Sequence, residues 1–167
     1  MAFVRYKIVK GRKYYEYVRN YREGGKHKQE VLCYLGPYRS LRAAISNTQY
    51  MVQLYSDAAA EFEEEAESTK GYLLEFYGEE LGGEIPSEDE AWEKQMRGEL
   101  LPWSRVRLLP EYEQGPAEVK HRRQLQDLFS SIRDYHRARS YADLYKVLAE
   151  DYRAKLDKYT AVKQKYP

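Results

Sequence analysis

Lys10-Gly11-Arg12-Lys13-Tyr14-Tyr15-Glu16-Tyr17-Val18-Arg19-Asn20-Tyr21-Arg22-Glu23-Gly24-Gly25-Lys26 decides the fold. A tyrosine-rich, strand-like run lies between two glycine turns, Gly11-Arg12 and Gly24-Gly25. Gly-X and Gly-Gly suit the primed two-residue turns that close hairpins. Two-residue loops at both turns set a register. Lys10 then faces Lys13, Ile8 faces Tyr15, Tyr6 faces Tyr17 and Lys7 faces Glu16. Across the second hairpin Arg19 faces Glu30, Tyr17 faces Leu32 and Tyr15 faces Tyr34. Two opposite-charge pairs stand directly across from each other, which favours this pairing. One face gathers Val4, Tyr6, Ile8, Tyr15, Tyr17, Leu32 and Tyr34, and a one-residue slip would scatter them. The other carries Arg5, Lys7, Tyr14, Arg22, His27 and Gln29, with Val9, Val18, Val31 and Cys33 among them. Three strands alone are marginally stable, so the apolar face needs a cover.

Helices downstream supply it. Gly36-Pro37 ends the third strand and Ser40 reads as an N-cap. Leu41, Ile45, Thr48, Val52, Tyr55, Ala59, Phe62 and Ala66 then recur at alternating spacings of four and three, a heptad seam. The seam extends through Leu73 and Phe76, with Gly71 as an expected break. Ser87 to Arg97 reads as a short acidic helix containing Trp92. Three prolines make 98–116 a connector, with Leu100, Leu101, Trp103, Val106, Leu108 and Leu109 tacking it down. Leu125, Leu128, Ile132 and Tyr135 mark one C-terminal helix; Tyr145, Ala149, Tyr152, Leu156 and Tyr159 mark another. Ser140 with Asp143 forms a capping-box pattern between them. The expected fold is α+β: an N-terminal three-stranded antiparallel sheet followed by a long-helix hairpin or coiled-coil-like bundle. Residues 1–37 form a basic β module and 38–167 a helical domain, with helices at 40–70, 87–97, 117–138 and 141–164.

The net charge of +1 over 167 residues conceals three blocks. Met1 to Arg42 is +8, Ala43 to Glu118 is −13 and Val119 to Pro167 is +6. Such asymmetry suggests contact with a polyanion at a basic end. The C-terminal block reads more simply as the partner of the acidic helix. The N-terminal block lies on a sheet, where that explanation does not reach. No apolar run approaches the roughly 18 residues of a membrane span, and the first ten residues lack a signal peptide's apolar core. The lone Cys33 rules out a disulfide framework and a cysteine-rich zinc site. A cytoplasmic protein without membrane contact is expected.

Motifs that carry chemistry are weak. Glu118-x-x-His121 has the spacing of a di-iron bundle ligand pair, but that site needs two copies and two further carboxylates. His136-x-x-Arg139 has a recombinase spacing, but no catalytic fold surrounds it. Glu61, Glu63, Glu64, Glu65 and Glu67 lie on one helix, which cannot wrap an ion. His27 with Cys33 is too few ligands for zinc. No phosphate-cradling loop is present, and no Ser or Cys nucleophile has an evident base. The expectation is no cofactor, no metal and no catalytic residue, hence no enzyme.

The basic sheet is the best functional candidate. Arg and Lys interleaved with Tyr can hold a phosphate backbone while rings stack on bases. The candidate nucleic-acid contacts are Arg5, Lys7, Lys10, Arg12, Lys13, Tyr14, Arg22, Lys26, His27 and Lys28. The competing reading is a protein-interaction adaptor or inhibitor, in the limit a nucleic-acid mimic. Its contacts would be Glu63, Glu64, Glu65, Trp92 and Trp103.

The stretch Tyr14 to Lys26, followed by Gln29-Glu30-Val31-Leu32-Cys33-Tyr34-Leu35-Gly36-Pro37, resembles the opening module of bacterial insertion-sequence transposases of the DDE class. It also resembles the opening of small bacterial and phage proteins. The Tyr21-Arg22-Glu23-Gly24-Gly25-Lys26 turn and the Tyr34-Leu35-Gly36 ending carry the likeness, over the first 40 or so residues. In the transposases this module precedes a large RNase H-like catalytic domain, which the remaining residues are too few to hold. The resemblance implies a mobile-element module associated with DNA ahead of RNA, and no activity. The expected partners are nucleic acid and a larger nucleoprotein assembly, with the helical seam open to a homodimer.

Overall fold

The computed structural model describes residues 2–100 and 117–166. Strands β1 (Ala2–Val9), β2 (Arg12–Glu23) and β3 (Lys26–Gly36) precede helices α1 (Leu41–Leu81), α2 (Glu88–Met96) and α3 (Ala117–Lys165). This is an α+β chain. The strands form one antiparallel sheet in the order β1-β2-β3. The connector from residue 101 onward, with Trp103, lies outside the described residues.

The first hairpin closes one residue earlier than the glycine spacing predicts. Its loop is Lys10-Gly11, with φ of 49° and 76°. A type I′ turn needs positive φ at both central residues, with glycine well suited to the second. Closing at Gly11-Arg12 would use a type II′ turn with glycine first; the chain takes the type I′ alternative, with glycine second. The pairs are therefore Ile8 with Lys13, Tyr6 with Tyr15, Arg5 with Glu16 and Val4 with Tyr17. A two-residue slide keeps every side chain on its expected face. The second turn, Gly24-Gly25, closes as predicted, with Glu23 opposite Lys26 and Arg19 opposite Glu30.

Beyond Val18 and Val31 the expected register of β3 fails. Tyr17 pairs with Cys33, Glu16 with Tyr34 and Tyr15 with Gly36, so Leu32 and Leu35 are extra residues at two bulges. One extra residue inverts the alternation of faces. Cys33 thus turns to the packed side and is buried, while Tyr34 turns outward and is 64% exposed. The predicted packing places for Leu32 and Tyr34 are corrected accordingly.

The chain divides into two compact units, Met1–Asp57 with Tyr145–Pro167, and Ala58–Leu144. In the first, Cys33, Leu35, Leu41 and Ala44 are buried, packed by Val4, Tyr15, Tyr17, Tyr38, Ile45, Tyr159 and Val162. Ser40 caps α1 by accepting from the Ala43 amide at 3.1 Å. Tyr55 meets Tyr145 and Tyr152 with centroids 5.9 and 5.4 Å away. The hydroxyl of Tyr159 donates to the Tyr34 carbonyl at 2.8 Å, tying α3 to β3.

In the second unit Leu73, Tyr77, Leu81, Ala91, Leu100, Leu128 and Ile132 are buried together. Tyr72 and Tyr77 both donate to Asp127 Oδ2, at 2.6 and 2.7 Å. α2 starts at a capping box formed by Ser87 and Glu90. α1 passes Gly71 and ends at Leu81, because Leu73, Tyr77 and Leu81 beyond the glycine are buried and outweigh its cost of about 1 kcal/mol. α3 likewise runs unbroken through Ser140, where two helices were expected. Ala138 and Ala142 are buried on either side of Ser140, so packing holds the helix where the local cap signal would end it. Every seam residue from Leu41 to Ala66 is buried or half-buried.

Candidate nucleic-acid interface

The residues that pack against α1 and α3 come from one face of the sheet: Val4, Tyr15, Tyr17, Cys33 and Leu35. The register puts Arg5, Lys7, Arg12, Tyr14, Arg22, His27 and Gln29 on the opposite face, as the alternation predicts. Lys10 sits in the first turn. Lys13, Lys26 and Lys28 belong to the packed face, but at hairpin ends that the helices leave exposed. The ten candidates therefore spread over one face and both tips. The tips lie at opposite ends of β2, whose eleven steps from Arg12 to Glu23 span roughly 36 Å.

Glu16 organises the open face. It is only 2% exposed, and its carboxylate accepts from Arg5 Nε and Lys7 Nζ, both at 2.8 Å. The hydrogen bond from Lys7, helped by that from Arg5 and by both charges, holds the Glu16 carboxyl below its usual range against the opposing effect of burial. Arg5 also donates to Gln29 Oε1 at 2.7 Å, linking all three strands. Two predicted phosphate contacts are thus already engaged by a buried carboxylate. The register set by a Gly11-Arg12 loop places only Lys7 opposite Glu16; the observed turn puts Arg5 there.

Other candidates have weaker ties. Arg22 Nε donates to His27 Nε2 at 3.1 Å. Lys28 pairs with Glu23, and the Lys13 ammonium stands 5.0 Å from the Tyr6 ring centroid. Among the described residues, no ion pair engages Lys10, Arg12 or Lys26. Tyr14 is exposed beside Lys7. Long, exposed cations at sheet edges suit mobile contacts with phosphates. Asn20 and Gln29, directly opposed on the open face, were not among the predicted contacts. They share a face with Arg22 and His27.

The remaining candidates are dispersed. Cys33 is buried on the packed face, away from His27, and burial pushes its thiol pKa up. His121 is buried, while the Glu118 side chain lies outside the described residues. His136 Nε2 donates to the Pro86 carbonyl at 2.7 Å, a structural role. Glu63, Glu64 and Glu65 are exposed, as are Trp92 and Met96 on α2. Among the described residues no group of three or more His, Cys, Asp or Glu side chains is placed to hold a metal ion. No described helix is long and apolar enough to cross a membrane.

No curated protein and no solved structure matches the chain. Residues 4–72 match the family model described as IS1634 family transposase, N-terminal domain. The likeness carried by the glycine turn and the Tyr-Leu-Gly ending therefore extends through the sheet and most of α1. It links the chain to mobile genetic elements: the sheet and the seam behind it are together similar to the N-terminal module of an insertion-sequence transposase.

Proposed function

We propose that this chain binds nucleic acid, DNA ahead of RNA, through the open sheet face and the two hairpin tips. In this reading it has no catalytic activity of its own and serves as an accessory part of a mobile-element nucleoprotein assembly. The observation that carries the proposal is the set of exposed basic residues at the hairpin tips and on the sheet, within the stretch similar to a transposase N-terminal domain. Lys10, Arg12 and Lys13 cluster at one tip with no acidic residue among them. Lys26 and Lys28 stand at the other, beside Glu23. The tip-to-tip reach of roughly 36 Å matches about one turn of duplex, so both tips can track one backbone.

A second reading has its own support. Trp92 is 59% and Met96 72% exposed, one turn apart on α2, where aromatic anchors suit protein contacts. A pull-down from bacterial lysate, with and without nuclease, separates the two. Loss of captured material on nuclease treatment supports the nucleic-acid binder. A partner retained after nuclease, and lost in Trp92→Ala, supports the adaptor and overturns the proposal.

A further inference from the structure

We infer that the β2–β3 ribbon beyond Arg19 is a base-reading element that enters the major groove of double-stranded DNA, with Asn20, Arg22, His27 and Gln29 as its specificity-determining residues. This rests on the proposed DNA-binding function and adds where, and by which side chains, sequence is read.

Among the described residues β1 pairs with β2 as far as Arg19, opposite Ala2. From Asn20 to Gln29 only β2 and β3 pair among the described residues, and every residue of this ribbon is exposed. Such a ribbon fits the roughly 12 Å major groove of B-DNA. The major groove of A-form RNA is too narrow for side chains to read, which selects DNA duplex as the occupant.

The ribbon's two faces differ in chemistry. Asn20 is opposite Gln29 and Arg22 opposite His27, so these four share one face. The acids Glu23 and Glu30 stand on the other, with Tyr21, Lys26 and Lys28. The face without carboxylates is the one that can approach the negative groove. Its residue types are those that read bases: Asn and Gln pair bidentately with adenine, and Arg with guanine. Alternate residues along a strand lie roughly 6.7 Å apart, close to two base-pair steps, so the four side chains cover about two to three base pairs. The reading face is also preset. Arg5 holds the Gln29 carbonyl oxygen at 2.7 Å, and His27 holds the Arg22 guanidinium at 3.1 Å. Lys26 stands beside the second turn, placed to meet a phosphate at the groove wall.

The test is selection of bound sequences from a randomised duplex library by the full chain. Affinities for the enriched duplex and a scrambled one are then compared. The wild type is expected to enrich one motif in which about two to three adjacent base pairs are fixed. In Asn20→Ala/Gln29→Ala the enriched-to-scrambled affinity ratio should fall about tenfold or more. Asn20→Arg should move the preferred base toward guanine. Circular dichroism checks folding, which these exposed changes should not alter. Duplex binding without enrichment, or a ratio unmoved by both variants, overturns the inference and leaves DNA binding standing. A wild type that binds no duplex removes the DNA reading and the inference with it.

Discussion

Replacing Glu16 by Gln should weaken the fold and strengthen DNA binding, an opposition that few single changes produce. The buried carboxylate holds Arg5 and Lys7 at 2.8 Å each. At that distance a contact is worth about 1.5 kcal/mol at the dielectric constant of water and about 6 kcal/mol at an effective value of 20. Arg5 is about one-third exposed and Lys7 about half, so solvent screening places both near the lower figure. Less the cost of burying the carboxylate, Glu16→Gln should lose about 1–3 kcal/mol, or roughly 3–10 °C in melting temperature. The pH dependence has a definite sign. The Glu16 carboxyl lies below its usual range, so its contribution is fully present above the unfolded value of about 4.3. It is lost as pH falls through the folded value, and wild type and variant should converge in acid. Binding should move the other way. Lys7, freed of the carboxylate, and Arg5, still bonded to Gln29 alone, add up to two phosphate contacts. The slope of log K against log salt then steepens by up to about 1.8, and affinity at 0.1 M salt rises by up to about 60-fold. Fluorescence anisotropy on a labelled duplex, with thermal melts of the same preparations, measures both. A folded variant whose slope is unchanged would show that Arg5 and Lys7 do not face the ligand, and would refute the open-face assignment.

Three further outcomes test the fold. Ser140→Pro should cost about 3 kcal/mol or more, since α3 is continuous there; an unchanged melt would restore the break that the capping pattern suggests. Leu73→Ala, at a fully buried site beyond Gly71, should cost about 2–5 kcal/mol, whereas exposed Gln53→Ala should be nearly neutral; equal melts would show that α1 ends earlier. Cys33, buried with its pKa raised, should react with a thiol reagent far more slowly in the native protein than in denaturant; equal rates would place it on the open face.

The sheet and its faces were legible because glycine turns and period-two alternation are local signals. Gly24-Gly25 fixed its hairpin outright. At Gly11 the spacing points to a Gly11-Arg12 loop, whereas the chain turns at Lys10-Gly11, with Lys10 itself at positive φ. The bulges at Leu32 and Leu35 depend on what packs against β3, so nothing within the strand announced that Cys33 turns inward. The unbroken α3 is similar: Ser140 and Asp143 carry a strong local cap pattern, and the burial of Ala138 and Ala142 overrides it. Among the candidate contacts, residue type and parity place Arg22 and His27 on one exposed face, as the register has them. Asn20 shares that face, but an uncharged amide in a strand carries no electrostatic signal by itself.

The most direct test is the salt dependence of duplex binding by the wild type and by a Lys10→Ala/Arg12→Ala/Lys26→Ala variant. These three cations, drawn from both tips, have no acidic partner among the described residues. If they hold phosphates, the wild-type affinity should fall steeply with salt, and the variant's slope should be shallower by up to about 2.7 with its circular dichroism unchanged. A wild type that is insensitive to salt, or a variant with the same slope, would contradict binding of DNA through the hairpin tips.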